Sequence, residues 1–218
     1  MKICTLCPRM CAVDRKSGER GICGQTTEIK VARAALHFWE EPCISGEMGS
    51  GAVFFSGCAL HCVFCQNENI ANGTAGKVIS TERLGEIFLE LQEKGANNIN
   101  LVTPGQFVPQ IIKAVELARN QNLKIPIVYN TSSYENVDTI RSLEGIVDIY
   151  LPDFKYFDTA LSAKYSHAPD YPAVAKAVIA EMVRQTGAAF FENGEDSLMK
   201  RGTIVRHLIL PGLSLIHI

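Results

Sequence analysis

Three features of this 218-residue chain predict an α/β fold built on a parallel sheet. Short apolar runs of strand length alternate with longer segments whose apolar residues recur at helical spacing. Strand, helix, strand, helix in that order is the pattern of right-handed βαβ units. Polar clusters stand just after the apolar runs, at Cys58–Cys65, Thr103–Pro104, Asn130–Ser132 and Asp153–Lys155. In such folds the chemistry gathers at the carboxyl ends of the strands.

Taken in order, residues 1–27 carry Cys4, Cys7, Cys11 and Cys23 among the turn residues Pro8, Gly21 and Gly24. This reads as a small cysteine-rich knuckle without a core of its own. A C-x2-C-x3-C…C set can close a tetrahedral zinc site or hold an iron–sulfur cluster, with redox thiols as a third reading. Residues 28–50 read as an extended lead-in packed across the sheet, with His37, Phe38 and Trp39 as a buried aromatic patch and Cys43 as a buried free thiol.

Ala52–Phe55 is the first strand of the core, broken at Ser56 and Gly57. It delivers Cys58, Cys62 and Cys65 in C-x3-C-x2-C spacing. Three thiolates so close at a strand end form a chelating loop. Iron–sulfur cubanes are normally held by four cysteines, so three leave one iron open, as a catalytic site requires. A structural zinc completed by Cys43 or His61, and inert buried cysteines, are the alternatives.

Residues 67–78 are polar and Asn/Gly-rich, an exposed connection. Ser80 and Thr81 cap a helix whose Leu84, Ile87, Phe88 and Leu91 fall on one face and which Gly95 ends. Strands are expected over 98–103, 125–130 and 146–151. Between them lie helices with inward Val108, Ile111, Ile112 and Val115, and with Val137 and Ile140. A helix interrupted near Pro169 and Pro172 resumes with Val174, Val178, Ile179 and Met182. Residues 187–202 read as a polar loop, and Thr203–Leu210 as the fifth strand.

Composition narrows the function classes. The 47% hydrophobic and 20% charged residues are those of an ordinary soluble globular protein. A formal net charge of −2 gives no basic footprint for nucleic acid. No run approaches the ~18 apolar residues that span a bilayer. The start, MKICTLCPRMC, has no apolar h-region of a secretory signal. Seven of eight cysteines lie in two chelate-spaced groups, which favours metal binding in a reducing cytoplasm over a disulfide scaffold.

The loop GAVFFSGCALHCVFCQ resembles the signature of the radical S-adenosylmethionine superfamily. The motifs CTLCPRMC, ALHFWEEPC, VFFSGC, NINLVTP, IVYNTS, DIYLPDFKYFD and VRHLILPG are similar to the branch beside the pyruvate formate-lyase activating enzyme. The resemblance implies a partial (βα)6 barrel over residues 51–212, in which Cys58, Cys62 and Cys65 hold a 4Fe-4S cluster whose open iron binds S-adenosylmethionine. By the same resemblance Phe64 lies near the adenine, and Lys155 and Arg206 near the cofactor's carboxylate and methionine moiety. Asn130, Thr131 and Asp153 fall where the activating enzymes place a monovalent cation. Lys155 and Arg206 are read here as unpaired cations at the mouth of the site, with a rim salt bridge between Asp153 and Lys155 and a solvated strand end for Arg206 as the alternatives.

The chain departs from the family at Val102–Gly105, where a Gly-Gly-Glu stretch is usual, and in carrying its extra cysteines before the main loop. Only five core strands are expected. The last six residues, LSLIHI (213–218), match the translated end of a common sequencing-library adapter, so the native protein is expected to continue beyond about Gly212.

The implied function is reductive cleavage of S-adenosylmethionine to a 5′-deoxyadenosyl radical that abstracts hydrogen. The implied partners are a one-electron donor such as flavodoxin or ferredoxin and, for an activating enzyme, a substrate protein that receives a glycyl radical. A small-molecule or peptide substrate is the alternative, and a zinc-stapled binding protein is the alternative of another class.

Overall fold

The computed structural model describes residues 3–192 and 197–209. Strand β1 (Ile29–His37) leads through a short helix, α1 (Pro42–Ser45), into β2 (Ser50–Phe55), which returns antiparallel to it with Val31 opposite Phe55 and His37 opposite Ser50. After a loop and a helical turn, α2 (Glu68–Ala71), the short strand β3 (Lys77–Ile79) pairs with the outer side of β1.

Three crossovers follow. Helix α3 (Thr81–Glu93) leads to β4 (Ile99–Val102), α4 (Val108–Asn120) to β5 (Ile127–Thr131), and α5 (Val137–Arg141) to β6 (Ile149–Pro152). Helices α6 (Thr159–Ser166) and α7 (Tyr171–Thr186) then precede β7 (Phe190–Phe191) and β8 (Met199–Thr203). The sheet order is β3-β1-β2-β4-β5-β6-β8-β7, with β2, β4, β5, β6 and β8 mutually parallel. β7 lies antiparallel to β8 at the far edge.

The two faces of the sheet follow from the strand period of two. Val53, Phe55, Ile99, Leu101, Ile127, Tyr129 and Tyr150 point to the helices, where they meet Leu84, Phe88, Leu91, Ile111, Val115 and Val178. Val128, Ile149 and Leu151 point to the other face, against Ile44 and Met199. Helix α1 closes the amino-terminal end of that second face, where Asn97 and Asn98 donate side-chain N–H groups to the carbonyls of Ser45 and Ile44, each at 2.7 Å.

The helices form where their local chemistry directs. The Ser80 hydroxyl accepts the Arg83 N–H at the start of α3, and Asp158 accepts that of Leu161 at the start of α6. His167, in the left-handed region, ends α6, and α7 starts afresh with Pro172 in its first turn.

Three expectations are corrected. The segment 28–50 is not a lead-in lying across the sheet but a paired strand, β1, followed by α1. Its aromatic patch is not packed: Trp39 is 89% exposed and Phe38 53%. The fifth parallel strand is Met199–Thr203, inside the stretch read as a loop, and not Thr203–Leu210. Met199 and Gly202 are buried there, whereas Val205, Leu208 and Ile209 stay exposed, so burial and not local hydrophobicity sets the strand. Pairing resumes only as a single bridge between Asp153 and Arg206. The expected strand end at Leu210 and the 213–218 tail lie outside the described residues.

Phe88→Ala should cost about 3–5 kcal/mol in urea unfolding, since Phe88 is fully buried beneath the sheet. Trp39→Ala should change stability by no more than ~0.5 kcal/mol. Equal losses would contradict the assignment of the two aromatics.

Candidate metal centre

The carboxyl ends of β2, β4, β5 and β6 surround the loop that follows β2. That loop turns sharply at Gly57 (φ +88°), where an added Cβ would lie 2.4 Å from the Cys23 carbonyl oxygen. Only glycine permits both the left-handed backbone and so close an approach. Cys58 follows, partly buried. Its sulfur accepts N–H groups from Leu60, at 3.4 Å, and His61.

Burial pushes the Cys58 thiol up to about 11, and the two N–H donors oppose that rise. Burial also raises Cys62, against hydrogen bonding from Ser166 and the charge of Lys155. Leu60 anchors the loop among Tyr134, Tyr156 and Tyr171, and Phe64 meets the edge of Tyr156 at 6.2 Å.

The donors suit a metal. Cys58, Cys62 and Cys65 feel one another electrostatically within one turn of chain. Backbone N–H groups and a nearby ammonium stand ready to stabilise thiolates whose deprotonation a bound cation would drive. Among the described residues, however, no three His, Cys, Asp or Glu side chains are gathered as a group that could hold a metal ion. His61 and Cys43 do not complete a zinc site with the loop. His61 Nε2 lies 2.8 Å from the Ile22 carbonyl oxygen, and Cys43 sits on α1, at the opposite end of β2.

The amino-terminal cysteines are not remote from this loop. Cys4, Cys7 and Cys23 line the same cavity as Cys58, about 30 Å³ in volume and roomy enough for one water. Each of Cys7, Cys11 and Cys23 accepts a backbone N–H, from Arg9, Ile22 and Gln25 respectively, and burial raises Cys7 to about 12 and also raises Cys23.

Two arginines fasten the segment. Arg9 donates to the carbonyls of Ala59 (2.9 Å), Ser166 (3.0 Å) and His167 (2.5 Å) and lies 5.0 Å over the Tyr134 ring. Arg15 is buried and donates to the carbonyls of Gln25, Thr26 and Gln106. Gln106 in turn donates to Ser56, Gly57 and Thr103 carbonyls, so one chain of bonds runs from the knuckle to the ends of β2 and β4.

Lys155 and Arg206 are not unpaired. Arg206 donates from Nε to Asp153 (3.0 Å), from Nη1 to Glu40 (2.9 Å) and from Nη2 to Asn130 (2.7 Å). Lys155 Nζ donates to the other Asp153 oxygen at 2.7 Å. Burial works against the lysine's charge, but Asp153 and then Cys62 and Cys58 outweigh it, and its pKa is raised. The cause is topological: the bridge between β6 and the chain after β8 lays Arg206 beside Asp153.

Asn130 and Thr131 are consecutive in β5 and point to opposite faces, and Asp153 is taken by two cations. Thr131 serves Glu135, donating to it at 2.8 Å.

Glu135, Glu40, Arg9, Arg15 and Gln106 escaped the sequence reading. Only the acidic pair in HFWEEPC hinted at Glu40, and Arg9 stands within CTLCPRMC; the others carry no motif. Glu135 is buried, accepts from Thr131 and Tyr129, and lines the thiol cavity. It also explains Gly105, where a Cβ would lie 2.5 Å from its carboxyl oxygen.

Burial raises Glu135 from 4.5 to about 7, with the two hydroxyls opposing. A carboxyl raised on folding favours the folded state most at low pH. That contribution is complete below about 4.5, is lost as pH rises, and is gone above about 7. Glu135→Gln should therefore flatten a stability decline of roughly 2–4 kcal/mol across that window, read from urea midpoints. An unchanged slope would contradict the assignment.

Residues 52–212 match the family described as the Radical SAM superfamily. The chain is also similar to an uncharacterized protein, MJ0674, of Methanocaldococcus jannaschii, at 27% identity over 217 residues, covering 96% of this chain and 57% of that one. The chain thus spans little more than half the length of this relative. No helix among the described residues is long and apolar enough to cross a membrane. With a family match over most of its length and the signature loop at the strand ends, the chain belongs to the radical S-adenosylmethionine superfamily, whose members are enzymes that use a 4Fe-4S cluster and S-adenosylmethionine.

Proposed function

We propose that Cys58, Cys62 and Cys65 hold the 4Fe-4S cluster of a hydrogen-abstracting enzyme in the manner of the pyruvate formate-lyase activating enzyme. The observation that carries this reading is the loop itself: three cysteines in C-x3-C-x2-C spacing at the end of β2, with backbone N–H groups on Cys58 and the Lys155 ammonium beside Cys62. When bound, the cluster supplies the electron that cleaves S-adenosylmethionine to methionine and a 5′-deoxyadenosyl radical.

The chain's own residues bind and orient. Lys155 offers its ammonium to the cofactor's carboxylate. Phe64, against Tyr156, gives the adenine an apolar wall. Arg206, with each of its three guanidinium nitrogens donating, holds Asp153 and thereby Lys155 in place. The substrate lies over the strand ends: a partner protein that receives a glycyl radical is one reading, and a small molecule or peptide is the other. The electron comes from a one-electron donor of the flavodoxin or ferredoxin class in the cytoplasm. Cys62→Ala should lose about four irons and four sulfides per chain from anaerobically reconstituted protein; full retention of both would refute the ligand set.

The amino-terminal cysteines Cys4, Cys7, Cys11 and Cys23 hold a second metal, zinc or iron–sulfur, by the same N–H-supported thiol chemistry. The variant lacking Cys58, Cys62 and Cys65 should keep that metal after reconstitution. Metal analysis finding neither zinc nor iron in a folded variant would remove the second site.

A further inference from the structure

Six side chains on the face of the sheet away from the large helices form one continuous polar network, rooted at Glu40 of the HFWEEPC stretch. Glu40 lies in the connection after β1, whose last residue pairs with the first of β2, and so enters from the amino-terminal end of the parallel strands. Its carboxylate nevertheless reaches up the sheet. One oxygen accepts from Asn100 (2.7 Å) and Asn130 (3.2 Å), and the other from Arg206 (2.9 Å). The Glu40 side chain is 11% exposed.

Beyond Arg206 the network continues to Asp153 at 3.0 Å and from Asp153 to Lys155 at 2.7 Å. Two carboxylates balance two cations. Without the charge of Glu40, Asp153 alone would have to serve both, and a buried ion pair stripped of a partner is strongly disturbed.

We propose that Glu40 is a positioning residue for cofactor binding: by neutralising and fixing Arg206 it fixes the guanidinium edge that holds Asp153, and through Asp153 it keeps Lys155 beside the cysteine loop. The inference rests on the reading of Lys155 as a carboxylate-binding group. Glu40 touches no reacting atom and acts only through Arg206.

The experiment is S-adenosylmethionine binding to full-length, iron-loaded protein without reductant, measured by titration calorimetry in wild type, Glu40→Gln, Arg206→Gln and the double variant. Glu40→Gln should weaken binding about tenfold in the wild-type background and by less than about twofold when Arg206 is already replaced. Glu40→Asp, which keeps the charge but shortens its reach, should fall between the two, and it carries the same test where the Gln variant fails to load iron. Unchanged affinity in Glu40→Gln, or an equal loss in both backgrounds, overturns the proposal. Iron-loaded wild type that does not bind the cofactor overturns the reading beneath it.

Discussion

Strands β2, β4, β5 and β6 run the same way, and a chain can return to the start of a parallel neighbour only by crossing over the sheet. Each crossover here is a helix packed on one face, so every strand delivers its carboxyl end to the same rim. That constraint gathers Cys58, Thr103, Thr131 and Asp153 at one place although 95 positions separate the first from the last. The opposite face, relieved of large helices, is left for smaller pieces: α1 at one end and the polar network of Glu40, Asn130 and Arg206 within it.

The cysteine-rich start of the chain depends on that rim. It has one helical turn, Arg15–Ser17, and it is fixed by guanidinium groups that satisfy backbone carbonyls of the loops it covers. Those carbonyls terminate strands and helices and would otherwise need water. The knuckle therefore acts as a cover over the cysteine loop as well as a carrier of thiols. Gly57 allows the cover to sit down, since any side chain there would strike the Cys23 carbonyl.

What the sequence made legible follows the range of the interaction. Helix α3 was readable because its cap and its apolar face lie within thirteen residues, and the loop cysteines because a chelate needs close spacing. The β8 strand was not, because Met199 and Gly202 are buried by distant partners while the more apolar Val205 and Ile209 are not. Trp39 failed as a core residue for the converse reason: nothing among the described residues covers it. Arg206 read as a free cation because its counter-ions, Glu40 and Asp153, are brought to it from distant parts of the chain, whereas the Asp153–Lys155 pair is local and was legible as a rim salt bridge. Glu135 carries no local signal, since burial alone gives it its character.

The central claim is that the loop at the end of β2, with the ion network beside it, is a cofactor-cleaving site. The most direct measurement is the yield of 5′-deoxyadenosine and methionine from S-adenosylmethionine, on adding dithionite to the anaerobically reconstituted, full-length protein. The two products should appear in equal amounts and only when the protein carries its iron and sulfide. A fully loaded, reduced protein that binds S-adenosylmethionine and yields neither product would contradict the account.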